Sequence, residues 1–246
     1  MFKEVIYMAR QYLLESPSGL LWHIYIDEDM HLVYSKKQNN SWSSATLLDK
    51  FNMKNFSSTI DIEDKVHIVA YTTTKQRIYN QWNGNQWLYS IMTTLRSRFQ
   101  DISFVKIVAD ENNVHILYHV ESALYRNKDM VYHYYGDGFN WQGGRIFSFP
   151  SEDNISISNL YFYDKSSMYL YYSQKINGKT LVYRSDFDKT NSLWSDPISS
   201  FHIPLSLEKV QILLDERKHE HLIRVHDEGD MYTLYYMPRN EKQIIV

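Results

Sequence analysis

The sequence contains no cysteine, and it is poor in glycine and proline, with 8 and 5 of these residues in 246. The absence of cysteine excludes disulfides, thiolate metal sites and thiol nucleophiles together. Because no stretch is rich in glycine or proline, nothing in the sequence resembles a linker. We therefore expect a single domain over residues 1–246.

Long apolar runs and an excess of charge are also missing. No window approaches the roughly 18 apolar residues of a membrane-spanning helix, and charged residues near the N-terminus interrupt the apolar run that a signal peptide needs. The net charge of −3 gives no general attraction to nucleic acid or to an anionic membrane. The sequence therefore predicts a cytoplasmic monomer that binds neither nucleic acid nor membrane.

Aromatic residues, in contrast, are abundant. The 21 tyrosines, 11 phenylalanines and 6 tryptophans make up 15% of the chain. Aromatic side chains pack well on the half-buried surface of a β-sheet, so this composition favours an all-β fold.

An internal repeat organises the chain. A hydrophobic-Tyr pair recurs at steps of 45, 53, 51 and 52 residues, with its tyrosines at Tyr34, Tyr79, Tyr132, Tyr183 and Tyr235. A tryptophan follows in the first four units, namely Trp42, Trp87, Trp141 and Trp194. A second strand-like piece precedes each pair and carries a histidine in four units, namely His23, His67, His115 and His221.

Each unit is therefore predicted to form four short antiparallel strands. Acidic turns precede the second strand in four of the units, and Asn83-Gly84 and Asp137-Gly138 are strong hairpin signals. A four-stranded unit of about 50 residues, repeated, is typical of a propeller blade. We predict a five-bladed β-propeller with blades at about 11–50, 57–93, 103–149, 156–200 and 207–246.

The fifth unit has little length for an outer strand and no tryptophan. We expect the N-terminal piece, residues 2–9, to supply or extend that strand and so close the ring, because such pairing covers a sheet edge. Residues 2–14 and 207–222 also have helical features, in spacing and in helix-forming residues respectively. The repeat register favours strands in both.

The units resemble sialidase-type propeller repeats, in which a turn of the form Ser-x-Asp-x-Gly-x-Thr-Trp joins the last two strands. This chain has degenerate versions of that turn, such as Asp137-Gly138-Phe139-Asn140-Trp141. The units are also similar to those of fucose-binding propeller lectins. The resemblance implies a glycan-related function. A sialidase would need three clustered arginines and a Tyr/Glu pair.

The repeated residues have two interpretations. The tryptophans could stack against sugars, but a residue that recurs in nearly every blade more simply seals neighbouring blades. The histidines could bind a metal only if they converged on one point. We expect instead that they hydrogen-bond to backbone, and that the acidic turns are solvated turns that bond their own backbone. No cofactor or metal is predicted.

Function is expected where the units differ, on the loops of one propeller face. Residues suited to an anionic or polyhydroxylated ligand occur there: Arg96, Arg98, His119, Tyr125, Arg126, His202 and His226. The alternative is an ordinary solvated rim.

We predict a non-catalytic binding or scaffold propeller with a carbohydrate as the favoured ligand. The alternatives are a glycan-processing enzyme and a platform for a protein partner.

Overall fold

The computed structural model describes residues 11–94, 99–122, 128–150, 156–162, 166–176, 179–203, 209–215, 217, 219–227, 232–238 and 244–245. These residues form antiparallel sheets, one for each predicted repeat, and no helix occurs among them. The all-β, five-bladed propeller class predicted from the repeats is confirmed. The same part of the chain accordingly has no helix long and apolar enough to span a membrane.

The chain forms two compact units, Met1–Ser148 and Phe149–Val246. The first unit contains three blades, and the last strand of the third blade runs two residues past the end of the unit. Its strands are β1 (Gln11–Glu15), β2 (Leu21–Ile26), β3 (Leu32–Gln38), β4 (Ser41–Trp42), β5 (Thr46–Asp49), β6 (Met53–Ile60), β7 (Val66–Thr72), β8 (Gln76–Trp82), β9 (Trp87–Thr94), β10 (Phe99–Ala109), β11 (Val114–Ser122), β12 (Lys128–Gly136) and β13 (Trp141–Pro150).

The second unit contains two blades. Its strands are β14 (Ser156–Phe162), β15 (Ser167–Ile176), β16 (Lys179–Asp188), β17 (Leu193–Trp194), β18 (Ile198–Ile203), β19 (Lys209–Leu214), β20 (Glu220–Asp227), β21 (Tyr232–Pro238) and β22 (Ile244–Ile245). The helical alternative is wrong for the described part of 207–222, which forms β19 and the start of β20.

Strands pair in chain order within every blade, as a meander requires. In the first and fourth blades the outer strand is split into two pieces, which both pair with the third strand. A serine follows the tryptophan at each split. The backbone N–H of Ser195 donates to the Asp186 carbonyl at 2.8 Å, and its hydroxyl accepts from the Asp186 N–H at 3.0 Å. Ser43 makes the same two bonds with Lys36.

The fifth blade has an outer strand of its own, β22, which pairs with β21 through Tyr235 and Tyr236. The expected contribution of residues 2–9 to this blade lies outside the described residues, as does any helix over residues 2–10.

The core of the first unit lies between its blades. Strand β7 is buried along its whole length because its alternating faces serve two clusters. Ile68 and Ala70 pack with residues of the first blade, such as Trp22 and Ile24. On the opposite face, Val69 and Tyr71 pack with β10 and β11 of the third blade.

Candidate functional site

The predicted acidic turns and histidines belong to one recurring arrangement. In the second blade, Asp61 Oδ1 accepts the backbone N–H groups of Glu63 and Lys65 at 2.9 Å each. The other oxygen of Asp61 lies 3.0 Å from His67 Nε2, and His67 Nδ1 lies 2.7 Å from the Tyr79 hydroxyl. We call this arrangement a turn pin, because it ties the turn to the second and third strands.

Two further turn pins occur among the described residues. Asp110 and His115 form one with His133, whose Nε2 lies 3.1 Å from His115 Nδ1. The other consists of Asp215, His221 and Tyr236. The aspartates bond their own turn as expected. The partners described for these histidines are a carboxylate on one side and a tyrosine hydroxyl or a second imidazole on the other.

The register shows which residues are equivalent between blades. His67, His115 and His221 stand opposite Gln81, Tyr135 and Pro238, and in each blade the third-strand partner lies two residues earlier. By the same rule, Trp22 and Tyr34 occupy the equivalent second- and third-strand positions of the first blade, since Trp22 pairs with Lys36.

Four of the sequence anchors are consequently one residue out of phase with the turn pin: Tyr132, Tyr183, Tyr235 and His23. A shift of one residue moves a side chain to the other face of the sheet. His23 lies on the opposite face from Trp22, and its Nε2 is 3.0 Å from Gln11 Oε1.

The four repeated tryptophans occupy different environments. Trp87 contacts Trp22 and Tyr34 of the preceding blade, with ring centroids 5.9 and 5.3 Å away. Trp141 likewise packs edge-on against Tyr79 of the second blade. Trp42 is 45% exposed. Trp194 packs on Phe187 of its own blade at 5.1 Å.

Most residues predicted for the loop-face site lie outside the described residues: Arg96, Arg98, Tyr125 and Arg126. The backbone of His202 lies in β18 and that of His226 in β20, but their side chains are outside the described set. His119 is buried on β11, and its Nε2 lies 3.3 Å from Asp129 Oδ2. The proposal of a site on that face therefore stays a prediction.

The fourth blade departs from the turn pin. Tyr169 stands where the second, third and fifth blades have histidine, and Arg184 stands where they have the third-strand tyrosine or histidine. The Arg184 guanidinium lies over the Tyr169 ring, 4.4 Å from its centroid. It donates through Nε and Nη2 to the two carboxylate oxygens of Asp186, at 2.9 and 3.3 Å.

A buried carboxylate of the fifth blade completes this cluster. Glu220 is 3% exposed, and its Oε1 accepts bonds from Arg184 Nη1 and the Tyr171 hydroxyl at 2.9 Å each. Its Oε2 accepts from the Ser200 hydroxyl at 2.6 Å. Burial opposes the charged guanidinium, but Asp186 and Glu220 outweigh that effect and raise the pKa of Arg184.

An open cleft of about 540 Å³ lies beside this cluster, and we call it the blade 4 cleft. Its volume falls within the range of about 300–1,000 Å³ that is usual for small-molecule sites. It is lined by three aromatic side chains, hydroxyl groups, two carboxylates and a leucine: Ser166, Ser167, Tyr169, Asp186, Phe187, Asp188, Thr190, Leu193, Trp194 and Ser195.

Asp188 closes the turn at one side of the cleft. Its Oδ2 accepts the Asn191 side-chain amide at 2.6 Å, and Oδ1 accepts the backbone N–H groups of Asn191 and Thr190. These bonds, led by the Asn191 side chain, hold the pKa of Asp188 below its ordinary value. The carboxylate therefore stays ionised at neutral and mildly acidic pH.

A second cleft, of about 420 Å³, lies in the first unit at the ends of the first strands of its blades. It is lined by Glu15, Ser16, Pro17, Ile60, Asp61, Ile62 and Ala109. It offers no aromatic ring, and Asp61 already serves its turn pin, so this cleft is the weaker candidate.

Within the part of the chain that the structure describes, one group of metal-ligating side chains occurs, on the turn between β2 and β3. Ligand atoms of Asp27, Asp29 and His31 lie within 4.8 Å of one another. Exposed acidic groups often approach one another in this way without binding an ion, and we assign no metal to them.

Comparisons with known proteins identify the fold. No family model matches the chain, and no curated protein matches its sequence. Among solved structures, the α-L-arabinanase of Penicillium chrysogenum with arabinobiose gives a TM-score of 0.60 at 9% identity, covering 97% of this chain and 80% of that one. A PL25 ulvan lyase gives 0.65 at 9% identity, with 97% and 69% covered.

The α-L-arabinofuranosidase of Fusarium graminearum with an iminosugar inhibitor gives a TM-score of 0.60 at 7% identity, covering 93% of this chain and 76% of that one. At these identities the likeness shows the fold alone, and it agrees with the propeller class.

Proposed function

We propose that this protein is a non-catalytic carbohydrate-binding propeller and that the blade 4 cleft is its binding site. The observation that carries the proposal is the combination of Tyr169 and Trp194 with hydroxyl and carboxylate groups around one open cleft. Sugars offer apolar C–H faces that pack on aromatic rings, and hydroxyl groups that need directed hydrogen bonds. The fold neighbours named above are proteins that act on glycans, which supports this ligand class.

The position of the cleft supports the same conclusion. It lies in the blade where Tyr169 and Arg184 replace the residues of the turn pin. The first blade also departs from the turn pin, but its Trp22 and Tyr34 pack in the hydrophobic core. In the fourth blade, Tyr169 lines the open cleft, and Arg184 bonds Asp186 on the cleft wall.

A glycan-processing enzyme is the second candidate, because Asp186 and Asp188 are two residues apart on β16 and both line the blade 4 cleft. The α-carbons of residues two apart on a strand are roughly 6.6–6.8 Å apart, so two such side chains can hold their carboxyl groups at about the separation found in inverting glycosidases. A general acid needs a raised pKa, but the pKa of Asp188 is lowered. Both oxygens of Asp186 accept bonds from Arg184. These features favour binding over catalysis.

The Tyr171–Glu220 pair also resembles part of a sialidase site. Tyr171 is fully buried, and burial together with the Glu220 charge raises the pKa of its hydroxyl. An activated tyrosine nucleophile would need the opposite shift. We therefore interpret this pair as structural.

The test is a glycan-array screen of the whole chain, followed by calorimetry on the best ligand. Trp194→Ala should weaken binding about tenfold or more, because stacked rings dominate such sites, and Trp194→Phe should retain part of the affinity. Trp42→Ala is the matched control, since Trp42 has the same place in the first blade and is exposed. Absence of binding to any glycan, or equal loss in both alanine variants, would contradict the proposal. Release of new reducing ends from a bound oligosaccharide would favour the enzyme.

A further inference from the structure

The charges around the blade 4 cleft restrict the kind of sugar it can take. Arg184 bonds Asp186 on the cleft wall, and its guanidinium is also bonded to Glu220. A cation already shared by two carboxylates has little attraction left for an anionic ligand.

Asp188 is exposed, and the partners described for its carboxylate are the neutral N–H groups of Thr190 and Asn191. Lys189 is the next residue, and its backbone N–H donates to the Ser166 carbonyl. Counting Arg184 and Lys189 against Asp186, Asp188 and Glu220, the described groups leave the cleft with an excess of negative charge. An acidic sugar, such as a uronate, would meet repulsion there.

The aromatic rings of the cleft also favour a cationic ligand over an anionic one. The electron-rich face of an aromatic ring attracts a cation within about 6 Å. The Arg184 guanidinium already occupies one face of Tyr169 in this way, and Trp194 lines the cleft as well. Serine and threonine hydroxyls on the cleft wall would meanwhile bond a ligand rich in hydroxyl groups.

We propose that the blade 4 cleft binds amino sugars, with the protonated amine beside Asp188, in preference to neutral or acidic sugars. This proposal rests on the proposed carbohydrate-binding function and names the ligand class for the same site.

The experiment compares three oligosaccharides of equal length by calorimetry at mildly acidic pH: a glucosamine oligomer, its N-acetylated form and a galacturonate oligomer. The glucosamine oligomer should bind about three- to tenfold more tightly than the N-acetylated one, as expected for one exposed charge-assisted contact. The galacturonate oligomer should bind most weakly. The preference should shrink as salt is added, because the charges are exposed.

Asp188→Asn tests the assigned contact. An asparagine keeps a carbonyl oxygen for the backbone N–H groups of Thr190 and Asn191 and loses only the bond from the Asn191 side-chain amide. It should abolish the preference for the amine, so that the ratio of the two affinities falls to about one whatever the absolute affinity of the variant for either oligomer. Asp137→Asn is the matched control, because Asp137 closes the corresponding turn of the third blade with the same bonds to Phe139 and Asn140. The control should keep the preference.

The outcomes separate the two proposals. Equal binding of the glucosamine and N-acetylated oligomers, or an unchanged preference in Asp188→Asn, would overturn the amino-sugar assignment and leave carbohydrate binding intact. Binding of a lysine oligomer as tightly as the glucosamine oligomer would overturn it too, since recognition would then depend on charge alone. If none of the three sugars nor any array glycan binds, the proposed function itself fails.

Discussion

Arg184 Nη1 lies 2.9 Å from Glu220 Oε1, and this ion pair joins the fourth blade to the fifth. The side chain of Glu220 is 3% exposed and that of Arg184 is 20% exposed. Removing one partner of a buried pair leaves the other charge without compensation, which typically costs about 3–5 kcal/mol.

We expect Arg184→Met to lower the free energy of unfolding by about 3 kcal/mol. The double variant Arg184→Met/Glu220→Met should lose less free energy of unfolding than the two single variants lose together, because it leaves neither charge buried without its partner. Urea unfolding followed by tryptophan fluorescence measures both effects. Arg145→Met, at an exposed position on β13, is the control and should change little. Additive losses would show that the two residues are not coupled.

The turn pin of the third blade should make the protein sensitive to mild acid. Burial, and then the nearby His115, hold the pKa of His133 well below its ordinary 6.5. Below pH 6.5 the unfolded chain takes up a proton at this position that the folded chain does not, so stability must fall as the pH decreases from about that value.

His133→Tyr should reduce this loss, because Tyr79 and Tyr236 fill the same place in other blades without a titrating imidazole. The measurement is the urea midpoint between neutral pH and about pH 5. An equally steep decline in the variant would contradict the assignment.

A second decline is expected at lower pH. Partial burial raises the pKa of Asp215, but hydrogen bonds from His219 and His221 outweigh it and bring the value to about 2. The folded pKa is below the unfolded value of 3.8, so this contribution is present above pH 3.8 and is lost as the pH falls towards 2. His133→Tyr should leave this second decline unchanged.

Two glycines in equivalent turns should respond differently to substitution. Gly84 and Gly138 both have a φ of +99°, so an alanine at either is strained, by roughly 1–2 kcal/mol. A Cβ on Gly84 meets nothing within 4 Å, whereas one on Gly138 would lie 2.7 Å from the Tyr79 hydroxyl.

Gly138→Ala should therefore cost about 1–3 kcal/mol more than Gly84→Ala. Thermal or urea unfolding of the two variants gives the difference directly, because the backbone strain is common to both. Equal losses of unfolding free energy in the two variants would show that a Cβ at position 138 does not clash with Tyr79.

The sequence was sufficient to predict the blades but not their detailed register. The repeat period and the Asn-Gly and Asp-Gly turns identify the strands, since both are local features. The hydrophobic-Tyr pair did not identify which residues are equivalent between blades. The residues equivalent to Tyr79 are His133 and Arg184, each one position after the anchor tyrosine. Neighbouring residues of a strand point to opposite faces, so an error of one position misassigns the side chain completely.

The blade 4 cleft was beyond sequence prediction for a different reason. Its charge depends on contact between Arg184 and Glu220, which are 36 residues apart and lie in different blades. One signal was visible, namely Tyr169 in place of the recurring histidine. The predicted loop-face residues, from Arg96 to His226, remain a separate hypothesis.

The turn pins also bear on how the chain folds. His67 is 6 residues from Asp61 and 12 from Tyr79, and each contact of the other two pins joins residues at most 18 positions apart. Contacts between residues close in sequence form with a small loss of chain entropy and favour rapid folding. Each of these three blades can therefore form its turn pin before the neighbouring blade has folded. We expect packing between blades to follow as a later step.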